Sequence, residues 1–152
     1  MAVTTFTDLQ QIKDSLGKHL GYSEWLEVTQ ERINLFADAT GDHQWIHVDV
    51  EKAKEGPFGA PIAHGYLTLS LSNLFLPQIV EVQNISMGVN YGVDKIRFPN
   101  PVKVNQRVRG GAEIAAVSDI PGGIQVTIKI TIEIDGEAKP ACIIESLTRY
   151  LV

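Results

Sequence analysis

The longest run without charged residues restricts the fold of this chain most. It extends over residues 56–80 and contains the segment 61–76, PIAHGYLTLSLSNLFL. Its leucines do not form one stripe at helical spacing but point to nearly all sides, which is typical of a helix buried all round. A membrane span needs roughly 20 consecutive apolar residues, and Pro61 and Pro77 enclose a shorter segment. We therefore predict a long core helix over residues 61–76.

The second half of the chain has a different periodicity, with two residues per repeat. In residues 124–134, IQVTIKITIEI, polar residues alternate with isoleucine and valine. This alternation indicates a strand with one wet face and one apolar face. Similar segments at 85–98, 104–117 and 141–151 are separated by glycine, proline and aspartate turn signals. We predict that these strands form an antiparallel sheet whose apolar face packs against the core helix.

Shorter elements precede the core helix. We predict a helix over residues 6–16, a strand over residues 22–28, and a helix that begins after Thr29 and ends near Gly41. Residues 41–61 should be an irregular loop with one short turn capped by Asp49. Helices that are segregated from strands predict an α+β protein. The length indicates one domain over residues 1–152.

The composition excludes several classes of function. A net charge of −5 argues against nucleic-acid binding, which needs a basic surface to neutralise phosphates. Cys142 is the only cysteine, so no intrachain disulfide can form, and this fits a reducing compartment. The N-terminal residues lack the basic flank and apolar core of a secretory signal. We expect a cytoplasmic protein without a nucleic-acid or membrane partner.

Asp42 and His47 are the first candidates for chemistry. Side chains five positions apart would diverge by about 140° on a helix and lie on opposite faces of a strand. A turning loop could bring them together on one water molecule, as an acid/base pair. The alternative is that Asp42 caps a turn and His47 only bonds within the loop. Metal binding by these residues with His43 and Asp49 matches none of the usual zinc spacings.

The second candidate is the pair His64 and Gly65, near the predicted start of the core helix. The first N–H groups of a helix lack partners within it. Without a side chain, Gly65 would let a substrate carbonyl approach its N–H as charge develops on the oxygen. The alternative is that Gly65 only permits close packing and His64 bonds a loop carbonyl.

Basic residues are concentrated between positions 95 and 109. Lys95 and Arg97 begin this cluster, which also contains Lys103, Arg107 and Arg109. These side chains are candidates for binding the phosphates of a ligand. The alternative is that they form the wet face of two strands.

Three motifs carry a resemblance to a known family. Residues 36–47, FADATGDHQWIH, resemble the hydratase motif of the MaoC-like dehydratases and R-specific enoyl-CoA hydratases, and most closely their nodulation protein N-like subgroup. Residues 56–67, GPFGAPIAHGYL, are similar to that family's entry into its central helix, and residues 95–102, KIRFPNPV, to a strand end that follows. The family usually has Asn-Pro where this chain has Gln44-Trp45, and Asn73, beside Ser72, occupies the position of an auxiliary serine.

The resemblance implies a hot-dog fold, with about five strands wrapped around the central helix. It implies that Asp42 and His47 share a water that hydrates a trans-2-enoyl-CoA. One residue activates the water for attack on the β-carbon and the other helps deliver a proton to the α-carbon. Gly65 would bind the thioester oxygen, with His64 and Gln44 beside the substrate.

The same resemblance implies no metal or redox cofactor and a CoA or acyl carrier protein thioester as substrate. Lys95 and Arg97 would meet the CoA phosphates, and the protein would be a homodimer with its sites near the interface. Two other functions stay open: an acyl-CoA thioesterase and a non-catalytic subunit that binds acyl thioesters.

Overall fold

Strand β7 (Gly123–Ile134) is the central strand of the sheet and confirms the predicted alternation. In this computed structural model, which describes residues 2–152, its apolar residues are all buried. They are Ile124, Val126, Ile128, Ile130, Ile132 and Ile134. The polar residues between them lie on the outer face, so the sheet has the wet and apolar faces that the sequence predicts.

Five further strands extend the sheet: β2 (His19–Tyr22), β3 (Leu26–Glu27), β5 (Met87–Arg97), β6 (Arg107–Ile120) and β8 (Cys142–Leu151). They form antiparallel pairs in the order β2-β6-β7-β8-β5, with β3 also paired to β6. The strand predicted at 22–28 is thus two short strands. Two strands that were not predicted, β1 (Thr4–Phe6) and β4 (Val80–Val82), form a separate parallel pair.

The central helix consists of α5 (Gly65–Ser70) and α6 (Ser72–Ile79), which follow each other with one residue between them. Leu67, Leu71, Phe75 and Ile79 form a buried stripe at four-residue spacing that faces the sheet. The prediction of burial on every side is wrong for the single chain, because Tyr66 is 68% exposed and Leu74 is 43% exposed. The sheet covers only one side of the helix and leaves the other open.

Pro77 lies inside α6 rather than at its end, so the helix runs three residues beyond the predicted limit. Before the central helix, α1 (Leu9–Asp14) is shorter than predicted. Helix α2 (Gln30–Thr40) is confirmed: Thr29 caps the N–H of Arg32, and Gly41 ends the helix at a φ of 85°.

The segment 41–61 is more regular than predicted. Helix α4 (Val50–Lys54) is the short turn expected after its cap, Asp49. The additional helical turn α3 (Trp45–Val48) is not predicted by the sequence. A hydrogen bond of 2.8 Å from Gln30 Nε2 to the carbonyl of His47 ties α3 to α2, and this is a tertiary contact that local pattern does not contain. Across residues 2–152, no helix is long and apolar enough to cross a membrane.

Candidate active site

A cavity of about 600 Å³ opens where the C-terminal end of α2, the turn α3 and the start of α5 meet. Its size is typical of a small-molecule site. The lining residues are Phe36, Thr40, Asp42, His47, His64, Gly65, Tyr66 and Phe98. The structure therefore brings four of the sequence-predicted residues to one cavity.

Asp42 lies in the short connection between α2 and α3, which Gly41 opens. It is exposed, and its Oδ1 accepts a hydrogen bond of 3.3 Å from the main-chain N–H of Gln44. Gln44 thus supports Asp42 through its backbone. Gln44 is exposed and is not part of the cavity wall.

His47 is buried on α3 and has a defined hydrogen-bonding state. Its Nδ1 lies 2.7 Å from the carbonyl oxygen of Ile62. Because a carbonyl can only accept, Nδ1 carries the proton and donates it. The neutral ring therefore keeps a lone pair on Nε2, which is the atom that a general base needs.

The pKa of His47 is lowered from its ordinary value, mainly because burial penalises the charged form. The nearby His64 also lowers it, while the Ile62 carbonyl and the Asp42 carboxylate act in the opposite direction. The net effect favours a neutral imidazole at physiological pH. A neutral ring with a lone pair on Nε2 is the state that a general base would need.

His64 is 3% exposed and lies against His47, with the ring centroids 3.9 Å apart. Its Nε2 is 3.0 Å from the main-chain carbonyl oxygen of Asp42. This hydrogen bond to a loop carbonyl is the alternative that the sequence left open. One ligand-type atom from each of Asp42, His47 and His64 lies within 4.8 Å of the others.

These three residues resemble a metal site in composition, but their ring geometry is unsuited to one. The planes of the two imidazoles differ by only 23°. Their lone pairs therefore lie in nearly parallel planes and do not converge on a single ion. The other residues weighed as metal ligands lie elsewhere: His43 pairs with Asp38 at 3.0 Å, and Asp49 caps α4. The arrangement is better suited to holding a water molecule for acid/base chemistry.

Gly65 is the first residue of α5, and within residues 2–152 its N–H has no hydrogen-bond partner. A Cβ at this position would lie 3.3 Å from the ring of Phe98, which covers the glycine from one side. A larger side chain would therefore displace Phe98 from the cavity wall. The sequence did not single out Phe98, although it belongs to the motif at residues 95–102.

Lys95 and Arg97 are exposed on β5 and do not line this cavity. Arg97 directly precedes Phe98, which lines the cavity, and Lys95 is three residues before Phe98. Ser72 and Asn73 both line a second cavity, of about 540 Å³, between α5–α6 and the inner faces of β5 and β8. The two cavities adjoin along the helix, because Tyr66 lines the first and Ser70, one turn later, lines the second.

Comparison with known proteins relates this site to one family. A family model described as "MaoC like domain" matches residues 11–134. The chain is 47% identical to 3-hydroxyacyl-thioester dehydratase Z of Mycobacterium tuberculosis, over 97% of this chain and 98% of that protein. It is 45% identical to nodulation protein N of Rhizobium leguminosarum bv. viciae, over 88% of this chain and 84% of that protein.

The fold has matches among solved structures. The R-hydratase of Pseudomonas aeruginosa superimposes with a TM-score of 0.73 at 20% identity, over 90% of this chain and 81% of that one. The predicted α+β hot-dog fold is thereby confirmed. Because the family model and the relatives span most of the sequence, the chain belongs to the MaoC-like dehydratases, the hydro-lyase family that its motifs indicate.

Proposed function

We propose that this protein catalyses the reversible hydration of trans-2-enoyl thioesters to R-3-hydroxyacyl thioesters, with CoA or an acyl carrier protein as the carrier. The observation that carries the proposal is the grouping of Asp42, His47 and His64 within 4.8 Å, in a cavity that also contains the free N–H of Gly65. The names of the dehydratase and R-hydratase relatives support it.

The reaction uses one water held between the Asp42 carboxylate and Nε2 of His47. His47 takes a proton from the water, and the resulting hydroxide adds to C3 of the enoyl group. The proton then returns to C2 from the same side through the Asp42–His47 pair. Both the hydroxyl group and the new C–H hydrogen come from one water, so the enzyme ends the cycle unchanged.

The negative charge that develops on the thioester oxygen is stabilised by the N–H of Gly65. Its lack of a side chain lets the oxygen approach, and the ring of Phe98 lies beside this position. The acyl tail extends from there into the second cavity along α5 and α6. Lys95 and Arg97, exposed on β5, meet the phosphates when CoA is the carrier.

Proline at position 65 would remove the N–H of Gly65. Proline is favoured at the first position of a helix, and His64, at a φ of −58° and ψ of 140°, already has the conformation that precedes proline. We expect Gly65→Pro to lower kcat by about 10²–10³-fold. The matched control is Gly65→Ala, which adds the same Cβ beside Phe98 but keeps the N–H, so it measures the steric part of the loss and should lose less activity than Gly65→Pro. Equal losses in the two variants would contradict a role for the N–H.

The direct test is the reaction of purified protein with crotonyl-CoA. Loss of the enone absorbance without release of free thiol, and formation of R-3-hydroxybutyryl-CoA on a chiral column, is the expected result. Release of thiol would indicate a thioesterase instead. Binding of the thioester with no turnover would indicate a non-catalytic subunit.

We further propose that the protein is a homodimer formed through β5. This strand is an edge of the sheet and is eleven residues long, with Met87, Tyr91 and Val93 exposed to 53%, 55% and 43%. A long apolar edge strand is an aggregation hazard unless another strand covers it. A second copy related by a two-fold axis would pair β5 with itself in antiparallel fashion. It would also cover the open side of the central helix.

A charge on this strand should separate the subunits. We expect Val93→Lys to convert the dimer to a monomer in light scattering coupled to size-exclusion chromatography. Leu35→Lys is the control, because Leu35 is 62% exposed on α2, away from β5. A wild-type protein that elutes as a monomer at micromolar concentration would refute the proposal.

A further inference from the structure

His64 lies where the separate parts of the site meet. Its imidazole is between the rings of Phe36 and His47, at centroid distances of 4.9 and 3.9 Å. Its Nε2 reaches the carbonyl of Asp42, which is 22 residues earlier in the chain. The next residue along the chain is Gly65. This side chain therefore links the carboxylate, the base and the start of α5.

The two nitrogens of His64 are in unequal environments. Because the Asp42 carbonyl can only accept a hydrogen bond, Nε2 carries the proton. The lone pair of the neutral ring is then on Nδ1, which is buried and has no partner among residues 2–152. An unpaired buried acceptor destabilises the folded protein. Phenylalanine would fill the same space without this cost, so packing alone does not account for a histidine.

Asp42 has few other restraints. Its main-chain N–H lies 3.4 Å from Thr40 Oγ1, and its carboxylate accepts the 3.3 Å bond from Gln44. Both contacts are long and come from residues only two positions away along the chain. Of the hydrogen bonds to Asp42 within residues 2–152, the one from His64 is the shortest and the one that crosses to the central helix.

We propose that His64 is a positioning residue, which holds the backbone of Asp42 so that the carboxylate, Nε2 of His47 and the N–H of Gly65 face one water and one thioester. The inference rests on the proposed hydration reaction. Neither nitrogen of His64 needs to touch the substrate, since one is used by Asp42 and the other is buried. A displacement of about 1 Å at such a site can lower the rate about 10²-fold.

Three substitutions of His64 distinguish the effect of its hydrogen bond to Asp42 from the effect of its ring. In His64→Gln the amide nitrogen can reach the position of Nε2 and donate to Asp42. In His64→Asn the amide ends at the position of Nδ1 and leaves the carbonyl without its donor. In His64→Phe the ring and its packing stay, but the donor is lost. Thermal unfolding and circular dichroism identify any variant that does not fold.

We expect His64→Gln to keep kcat within about tenfold of the wild type, while His64→Asn and His64→Phe lose about 10²-fold, with KM for crotonyl-CoA nearly unchanged. His64→Phe removes both the unpaired nitrogen and the hydrogen bond to Asp42, so its stability should be close to that of the wild type. A crystal structure of His64→Phe should show Asp42 displaced from its wild-type position.

Three results would overturn the inference. Full activity in His64→Phe would show that only packing matters. An equal loss of kcat in His64→Gln and His64→Phe would show that a hydrogen-bond donor to Asp42 does not restore activity. A rise in KM in place of a fall in kcat would assign His64 to substrate binding and would also overturn it. Asp42→Asn and His47→Asn are assayed in parallel: if they stay active, the proposed reaction itself fails, whatever His64 does.

Discussion

Replacement of His47 by asparagine should lower kcat for hydration of crotonyl-CoA by about 10²–10⁴-fold, the range usual for a lost general base. The asparagine amide can occupy the position of Nδ1 and still donate to the carbonyl of Ile62, which is 2.7 Å from Nδ1 in the native protein. What it lacks is Nε2. The change therefore removes the base and keeps the contact that positions α3, and steady-state kinetics with crotonyl-CoA measure the result.

A companion variant, Asp42→Asn, tests the other member of the pair, because it keeps the size of the side chain and removes its charge. It should also lose activity, because a neutral amide is a poorer acceptor for the water. If both variants retain wild-type kcat, Asp42 and His47 do not form the acid/base pair. Unchanged circular dichroism would show that a loss of activity is not a loss of fold.

Asp42 and His47 should also determine how the activity depends on pH. Because burial lowers the pKa of His47, activity should fall on the acid side with a midpoint below the ordinary histidine value of about 6.5. The Asp42 carboxylate raises this pKa, so Asp42→Asn should move the titration of His47 to still lower pH. An NMR titration of the His47 ring follows both shifts without depending on activity. A midpoint above 6.5 would contradict the burial argument.

Phe75→Ala should lower the free energy of unfolding by about 3–5 kcal/mol. Phe75 is 1% exposed and lies on the side of α6 that faces the sheet. A Cβ on Gly110 of β6 would be only 2.9 Å from Cβ of Phe75, so helix and strand are already in close contact there. Alanine would leave a cavity that the surrounding strands can fill only in part. Urea denaturation at a fixed protein concentration measures the change.

Leu35→Ala is the control for this prediction. Leu35 is 62% exposed on α2, and exposed substitutions usually change stability by less than about 0.5 kcal/mol. A loss below about 1 kcal/mol for Phe75→Ala would mean that the helix is not anchored at this point. Gly110→Ala should destabilise the protein as well, since its Cβ would collide with the ring of Phe75.

Local pattern in the sequence was sufficient for the elements that depend on near neighbours. The alternation in residues 124–134 predicts β7, and Thr29 and Gly41 mark the two ends of α2, because a cap involves residues within one turn. Two residues of the candidate site could also be predicted from the sequence, since the motif at residues 36–47 contains Asp42 and His47. The pair β1–β4 was not predicted, because such short segments show no clear period.

The central helix shows where local pattern is insufficient. Its leucines point in all directions, which predicts burial all round, yet Tyr66 and Leu74 are exposed in the single chain. Sequence reports how apolar each side of a helix is, but not how far the sheet wraps around it. The proposed β5 dimer would cover the side that the sheet leaves open.

By itself, the sequence determined that a sheet packs against a helix, and that a carboxylate and an imidazole precede the helix in one motif. Only the tertiary structure decided how they are arranged. The hydrogen bonds from His47 to Ile62 and from His64 to Asp42 span 15 and 22 residues. Contacts over such separations depend on how the segments pack, because no property of either residue alone selects its partner. The charge-free run therefore predicts the core helix. Tertiary packing places the first residues of that helix beside His47, the proposed base.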